Sequence, residues 1–386
     1  MKKFQPYIDF YHQHSISPVH QDLRGGNFIK HFQCRRALYL HLGVVPSMIK
    51  GKSVLEFGPG SGHNALFTNA QQPERYVLVD GNQTGLKETK ENIEKYSSVK
   101  NVEFIYSLIE NYSSSTPFDI VLCEALIAFQ VDPMEFVKIP AQFVAPGGVF
   151  IITCTDSVAV LSDWLRRLYG AILVREVTDL EERLALLRAP FETHLSTLAG
   201  MSRPIDDWLL DNVIQCLSPN IGRGRFSIGE AISVLDADFD VYQSSPNFMT
   251  DWRWYKNIYG EELKYNQRFC DGYLNNLHSM LDYRCDYAPR NAEDNRELLA
   301  LCDQAFDLIH QMLRTNTVSE QSYLQTLKLT LDDISDNVDS FSRDAALAIR
   351  DFSQFLDNCD SPESYEFNEF IPFWGRGTQY LSLVKR

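Results

Sequence analysis

Three glycines and two carboxylates carry the most specific chemistry in this chain. In VLEFGPGSGHNAL (54–66), Gly58, Gly60 and Gly62 fall between an apolar run and a segment of helical composition. Glycines there permit a tight turn and let the backbone approach a ligand, while the amino end of the next helix offers free N–H groups to an anion. Asp80 ends the following apolar run, YVLVD (76–80), where its carboxylate is placed to accept hydrogen bonds from a ribose diol. Together these features point to an adenosine-bearing cofactor. The spacing then discriminates among such cofactors. Dinucleotide sites favour GxGxxG. This chain has GxGxG, and Glu56 stands two residues before the first glycine. A carboxylate so close to a pyrophosphate would repel it, whereas beside a sulfonium and an α-ammonium it would attract.

Glu56-Phe57-Gly58-Pro59-Gly60-Ser61-Gly62 resembles the first motif of the class I S-adenosyl-L-methionine (SAM) dependent methyltransferases, E/DxGxGxG. Asp80 is similar to the ribose-binding acid after their second strand. The resemblance covers 53–154, 228–246 and 376–386 and implies SAM as cofactor and methyl transfer as activity, with little about the acceptor. It places Glu56, Gly58, Gly60, Gly62, His63 and Asp80 on the cofactor. Ser107 and Leu108, at the end of the third strand, would flank the adenine. Many members bind the adenine amino group with an acid there; this chain has none, and Glu110 or a backbone carbonyl would stand in. Cys123 and Glu124, at the end of the fourth strand, would face the methionine moiety and the acceptor. The Asn-Pro-Pro-Tyr signature of many base and amide N-methyltransferases is absent there, which counts against nucleobase or glutamine methylation.

Methyl transfer is an in-line displacement on an activated sulfonium, so positioning does most of the work. A general base matters only when the acceptor must lose a proton. Glu124 is the best-placed catalytic candidate, and a carboxylate merely hydrogen-bonded to cofactor or backbone is the competing reading. His63 either caps the helix it opens or meets the cofactor carboxylate. His12, His14 and His20, with Tyr7 and Tyr11, precede the fold in a segment that covers the cofactor in many small-molecule methyltransferases. Tyr11 and His20 are the acceptor candidates there. His12-x-His14 lacks further donors at ligand spacing, so no metal site is expected.

The elements that must hold these residues follow from apolar, β-branched runs separated by helical segments. Strands are expected at 53–58, 76–80, 102–107, 118–125, 149–154, 239–244 and 378–385, with helices near Phe28–Leu42 and Ile228–Leu235. The expected fold class is α/β: a Rossmann-like, mostly parallel sheet with an antiparallel last strand, plus helical insertions. The segments are a helical cover (1–50), the cofactor core (51–154), a helical insertion (155–227), a return to the core (228–250), a helical bundle between the sixth and seventh strands (251–374) and the final strand (375–386). From Leu324 to Phe355 apolar residues keep a period of 3.5, with no Gly or Pro from Thr317 to Ser361. That seam suits a bundle or the face of a homodimer. Strand direction predicts that both stems of this insertion leave the sheet on the cofactor side. Trp252 and Tyr255 in one stem, and Trp374 and Arg376 in the other, are therefore acceptor candidates in a lid.

Composition bounds the rest. The net charge of −15 and the short basic clusters disfavour nucleic acid as a partner, because phosphate neutralisation needs basic patches. No apolar run approaches the roughly 18 residues of a membrane span. The opening MKKFQPYIDFYHQH has lysines without an apolar core and does not read as a secretory signal. Eight scattered cysteines without a CxxC pair suit a reducing, cytoplasmic compartment. The expected acceptor is a small or medium metabolite or a glycan-type group. The rival readings are an aminopropyl transferase, a nicotinamide oxidoreductase, and a non-catalytic SAM-binding protein that uses the bundle for interaction.

Overall fold

The computed structural model describes residues 7–97, 101–218 and 221–386. Residues 1–6, with the two lysines of the opening segment, lie outside the described residues. The chain divides into two compact units: 1–155 with 222–273 and 378–386, and 156–221 with 274–377.

The first unit is built on seven strands: β1 (Ser53–Phe57), β2 (Arg75–Asp80), β3 (Val102–Tyr106), β4 (Phe118–Cys123), β5 (Val144–Cys154), β6 (Phe239–Ser245) and β7 (Gln379–Lys385). Their order is β3-β2-β1-β4-β5-β7-β6. β1 to β5 pair in parallel, and β7 runs antiparallel between β5 and β6. This is the expected mostly parallel sheet. The inner strands are apolar almost without alternation because both faces are covered. On one face Tyr39, Leu42, Val54, Leu66, Phe67, Tyr76 and Ile93 form a buried cluster contributed by β1, β2 and three helices, Asn27–His41, His63–Ala70 and Gln83–Tyr96. Local chemistry sets the helix starts. The Asn82 side chain accepts from Thr84 N–H before Gln83–Tyr96, and Ser227 with Glu230 forms a capping box before Ile228–Leu235.

Strand order reverses at β1, where the chain goes first to β2 and β3 and then to β4 on the other side. Ligands of open α/β sheets bind beyond the carboxyl ends at such a switch point. Gly58, Gly81, Ser107 and Glu124 follow directly on the last residues of β1, β2, β3 and β4 at that edge. One strand differs from expectation. β5 starts at Val144, and Pro146-Gly147-Gly148 is absorbed within it as a register shift between the pairs Phe118↔Val144 and Ile120↔Val149. Gly147 has φ +72°, which accommodates that bulge.

The second unit is helical, with Leu161–Leu173, Leu180–Ser196, Ala292–Thr315, Gln321–Asp339 and Arg343–Phe355 as its longer helices. The period-3.5 seam is not one helix. It breaks at Ser340–Ser342, where the Ser342 side chain accepts from Ala345 N–H, and the two halves fold back antiparallel. Ser335 donates to the Ala346 carbonyl and Ser353 to Asp332, which fixes the register of this hairpin. Leu324, Leu327, Leu331, Ile334, Val338, Ala345, Ala348, Phe352 and Phe355 are all buried within the unit. No helix among the described residues is long and apolar enough to cross a membrane.

Candidate cofactor site

At the end of β2, one oxygen of Asp80 accepts from Gly60 N–H at 3.2 Å and the other from Asn82 N–H at 2.7 Å. The acid is thereby tied both to the glycine loop and to its own turn. Burial pushes its carboxyl up to about 6, against the opposing pull of those two N–H groups. The glycine loop is tight for a visible reason. Gly62 has φ +81°, and a Cβ there would stand 2.7 Å from Thr89 Cα; Gly60 has φ +59°, and its Cβ would stand 3.0 Å from the Pro18 carbonyl oxygen. Thr89 Oγ1 donates to the Gly60 carbonyl at 2.9 Å, clamping the loop to the helix Gln83–Tyr96. His63 opens the following helix, and its Nδ1 lies 2.5 Å from Ser61 Oγ.

Glu56 is buried on β1, and the Tyr76 hydroxyl of β2 donates to it. Burial, then the nearby Glu124, pushes its carboxyl up to about 7. Glu124, just past β4, is held by Arg35 of the helix Asn27–His41, with Nη1 and Nη2 each 2.8 Å from a carboxylate oxygen. Arg35 also stacks over the Tyr39 ring at 5.1 Å, and Tyr39 hydroxyl meets Thr68 Oγ1 at 3.0 Å. Ala125, the next residue, has φ +56°, a conformation unfavourable for a side chain, and its N–H donates to Thr153 Oγ1 at 2.7 Å.

The amino-terminal segment crosses the glycine loop. His12 Nε2 donates to the Gly81 carbonyl at 3.0 Å, Asn82 Nδ2 to the Ile16 carbonyl at 2.9 Å, and Ser61 N–H to the Pro18 carbonyl at 3.2 Å. Ser61 Oγ donates to the Val19 carbonyl at 2.8 Å, and Val19 itself holds φ +65°, a strained value for a β-branched residue. Glu88 fastens the segment by accepting from the Ser17 hydroxyl and from His20 Nε2, the latter at 2.9 Å. Burial alone would raise the Glu88 carboxyl; the hydrogen bonds from His20 and Ser17 outweigh it and hold the group below the usual range.

The structure brings Glu56, Gly58, Gly60, Gly62, His63, Asp80, Ser107, Cys123 and Glu124 to one edge of the sheet. Ser107 N–H donates to the Asp80 carbonyl at 3.0 Å, Leu108 follows it, and Cys123 is buried in register with Phe57. Tyr11 is buried, with its ring 6.3 Å from that of Tyr7, and His20 is engaged by Glu88. Trp252 and Tyr255 stand 90% and 70% exposed. Trp374 and Arg376 belong to the helical unit. Trp374 Nε1 donates to Thr197 Oγ1 at 3.0 Å, its ring lies 3.4 Å from the Arg166 guanidinium, and Arg376 N–H donates to the Met280 carbonyl at 2.9 Å. Those contacts explain the Trp374 side chain by packing. Among the described residues no group of three His, Cys, Asp or Glu side chains is disposed to hold a metal.

Two residues at this edge escape the sequence reading, Arg35 and Gln130. Gln130 is buried and donates through Nε2 to the Leu126 carbonyl at 2.9 Å and to Tyr7 hydroxyl at 3.4 Å. Burial, then proximity to Asp80, pushes the Tyr7 phenol far up. Arg35 sits in an ordinary-looking helix beside Arg36, with no spacing that announces a partner 89 residues away.

Part of the chain is similar to known proteins. Residues 49–190 match the family model described as a methyltransferase domain. The curated relative ribosomal RNA small subunit methyltransferase G of Legionella pneumophila is 26% identical over 115 residues, 30% of this chain and 52% of the relative. The chain thus spans about half the length of the curated relatives it matches. Among solved structures, PKMT2 from Rickettsia typhi is 15% identical, with 66% of this chain and 51% of that one covered at a TM-score of 0.38. N-methyltransferase NodS from Bradyrhizobium japonicum, solved with S-adenosyl-L-homocysteine, is 15% identical, covering 33% and 61% at 0.27. Over residues 49–190, then, the chain is similar to a methyltransferase domain.

Proposed function

We propose that this chain transfers a methyl group from SAM to a small or medium metabolite or a glycan-type acceptor. The observation that carries the reading is Asp80, a buried carboxylate at the end of β2 hydrogen-bonded to the glycine loop itself. The cradle fits the cofactor: positive-φ glycines leave no room for side chains, and buried Glu56 has no cation directly bonded to it in the described contacts. SAM supplies a methyl group already activated on a sulfonium. The residues supply binding and orientation: Asp80 for the ribose hydroxyls, Ser107 and Leu108 beside the adenine, and Glu56 toward the positively charged methionine head. The pairing of Glu124 with Arg35 favours an orienting role over that of a free base. Tyr11 and His20, with Trp252 and Tyr255, remain the acceptor candidates of this unit. The free, scattered cysteines support a reducing, cytoplasmic setting for this activity.

An RNA acceptor is the second reading, favoured by the name of the Legionella relative. The net charge of −15 counts against it. Calorimetry with SAM, S-adenosylhomocysteine and NAD tests the cofactor, and binding of NAD alone sinks the proposal. Labelled SAM incubated with a metabolite extract and with total RNA tests the acceptor. Label appearing in RNA selects the second reading.

A further inference from the structure

Two carboxylates reach the same end of the sheet on adjacent strands. Glu56 lies on β1, and Glu124 follows Cys123, the residue of β4 in register with Phe57. Their partners differ in charge. Glu124 takes both terminal nitrogens of Arg35 at 2.8 Å, whereas among the described residues Glu56 takes the neutral hydroxyl of Tyr76. The groups that face this pair come from four places: Arg35 and Tyr39 on the helix Asn27–His41, Tyr76 on β2, Asp80 at its end, and Tyr380 on β7. Arg35 is the one cation in that set, and it is 94% buried.

We propose that Arg35 is a positioning residue of the cofactor site: by occupying Glu124 it leaves Glu56 as the carboxylate that receives the cofactor's positive head. This deepens the SAM reading and rests on it. Replacing the guanidinium by a neutral group would leave two buried like charges, which resist ionising together. Replacing Glu124 by a neutral group would leave an unpaired cation beside Glu56, which favours its ionised form. The two changes therefore push Glu56 in opposite directions, and making both should cancel.

The pH dependence of cofactor affinity reads this directly. Burial and Glu124 hold the Glu56 carboxyl near 7. A protonated Glu56 must lose its proton to meet a cation, so affinity should fall as pH drops below that value, by up to about tenfold per unit. SAM is titrated calorimetrically into the full chain from about pH 5.5 to 8.5. Arg35→Met should move the midpoint up by about one unit, and Glu124→Gln should move it down. Arg35→Met with Glu124→Gln should return it to the wild-type position, and Arg35→Lys should stay near it. A buried ion pair replaced whole by neutral groups is commonly tolerated, so the double variant remains readable if one single variant folds poorly. If Arg35 merely braces the helix, its replacement lowers affinity by one factor at every pH and Glu124→Gln moves no midpoint; that result overturns the inference. Wild-type protein that fails to take up SAM at any pH overturns the SAM reading instead.

Discussion

On the proposed reading the Asp80 carboxylate would hold the ribose as well as tie the glycine loop to the turn after β2, and its substitution should show both. Asp80→Ala removes the acceptor for the ribose hydroxyls, a charge-assisted contact of about 1.5–3 kcal/mol. SAM affinity measured by calorimetry should fall roughly tenfold to a hundredfold. The same change frees Gly60 N–H and Asn82 N–H, so the unliganded protein should also melt earlier. An unchanged dissociation constant would show the ribose lies elsewhere. The raised carboxyls of Asp80 and Glu56, near 6 and 7, have a second consequence. A carboxyl raised in the folded state binds protons there that the unfolded chain has already released. Their contribution to stability is therefore largest at low pH and is lost as pH rises from about 4 to 7. Asp80→Asn and Glu56→Gln should each flatten the pH dependence of the unliganded melting temperature over that window. An equally steep dependence in both variants would assign it to other groups. Glu56, the glycines and Asp80 were legible because their spacing is local. Arg35 and Gln130 were not, since their roles arise only when a helix or a turn is laid against the sheet.

The inner strands of the sheet were readable because each is a short apolar run ending in glycine, a turn or a charge, and packing on both faces removes alternation, whereas the edge strands β3 and β6 are only partly buried. The seam from Leu324 to Phe355 pointed to a bundle without showing where its helices divide. Its period continues through Ser340–Ser342 without Gly or Pro, and the break is marked only by Ser342, whose side chain accepts from Ala345 N–H and from the Tyr287 hydroxyl at 2.7 Å. Periodicity reports which face is buried and says nothing about whether the partner is the same chain folded back. Ser342→Ala should cost about 1 kcal/mol, read as a lower melting temperature of the helical unit. Ser342→Asp, which keeps a capping oxygen, should recover part of it. A loss equal for both would mean that the Tyr287 contact, and not the cap, fixes the hairpin.

At the scale of the whole molecule, the candidate cofactor site and a buried arginine bonded to four carbonyls belong to different units. In the helical unit Arg166 is fully buried and donates to the carbonyls of Ser162, Phe370, Ile371 and Phe373, at 3.2, 3.2, 2.8 and 2.8 Å. Burial lowers its guanidinium to about 9, and Trp374 lies flat against it. This one side chain anchors the segment before β7 from within the helices. Arg166→Met keeps the volume but strips the donors from four carbonyls, a loss of about 3 kcal/mol or more. The residues that would bind SAM all have their partners in the sheet unit. Scanning calorimetry should therefore show Arg166→Met lowering the transition of the helices while the SAM dissociation constant stays within about twofold of wild type. SAM at a hundred times its dissociation constant should raise the transition of the sheet unit by an amount equivalent to about 2.7 kcal/mol in wild type and variant alike. A single transition that Arg166→Met and SAM move together would show that the two units melt as one block. In that case the helices would act on cofactor binding through stability, and Trp374 would have to be tested by transfer assays and not by melting.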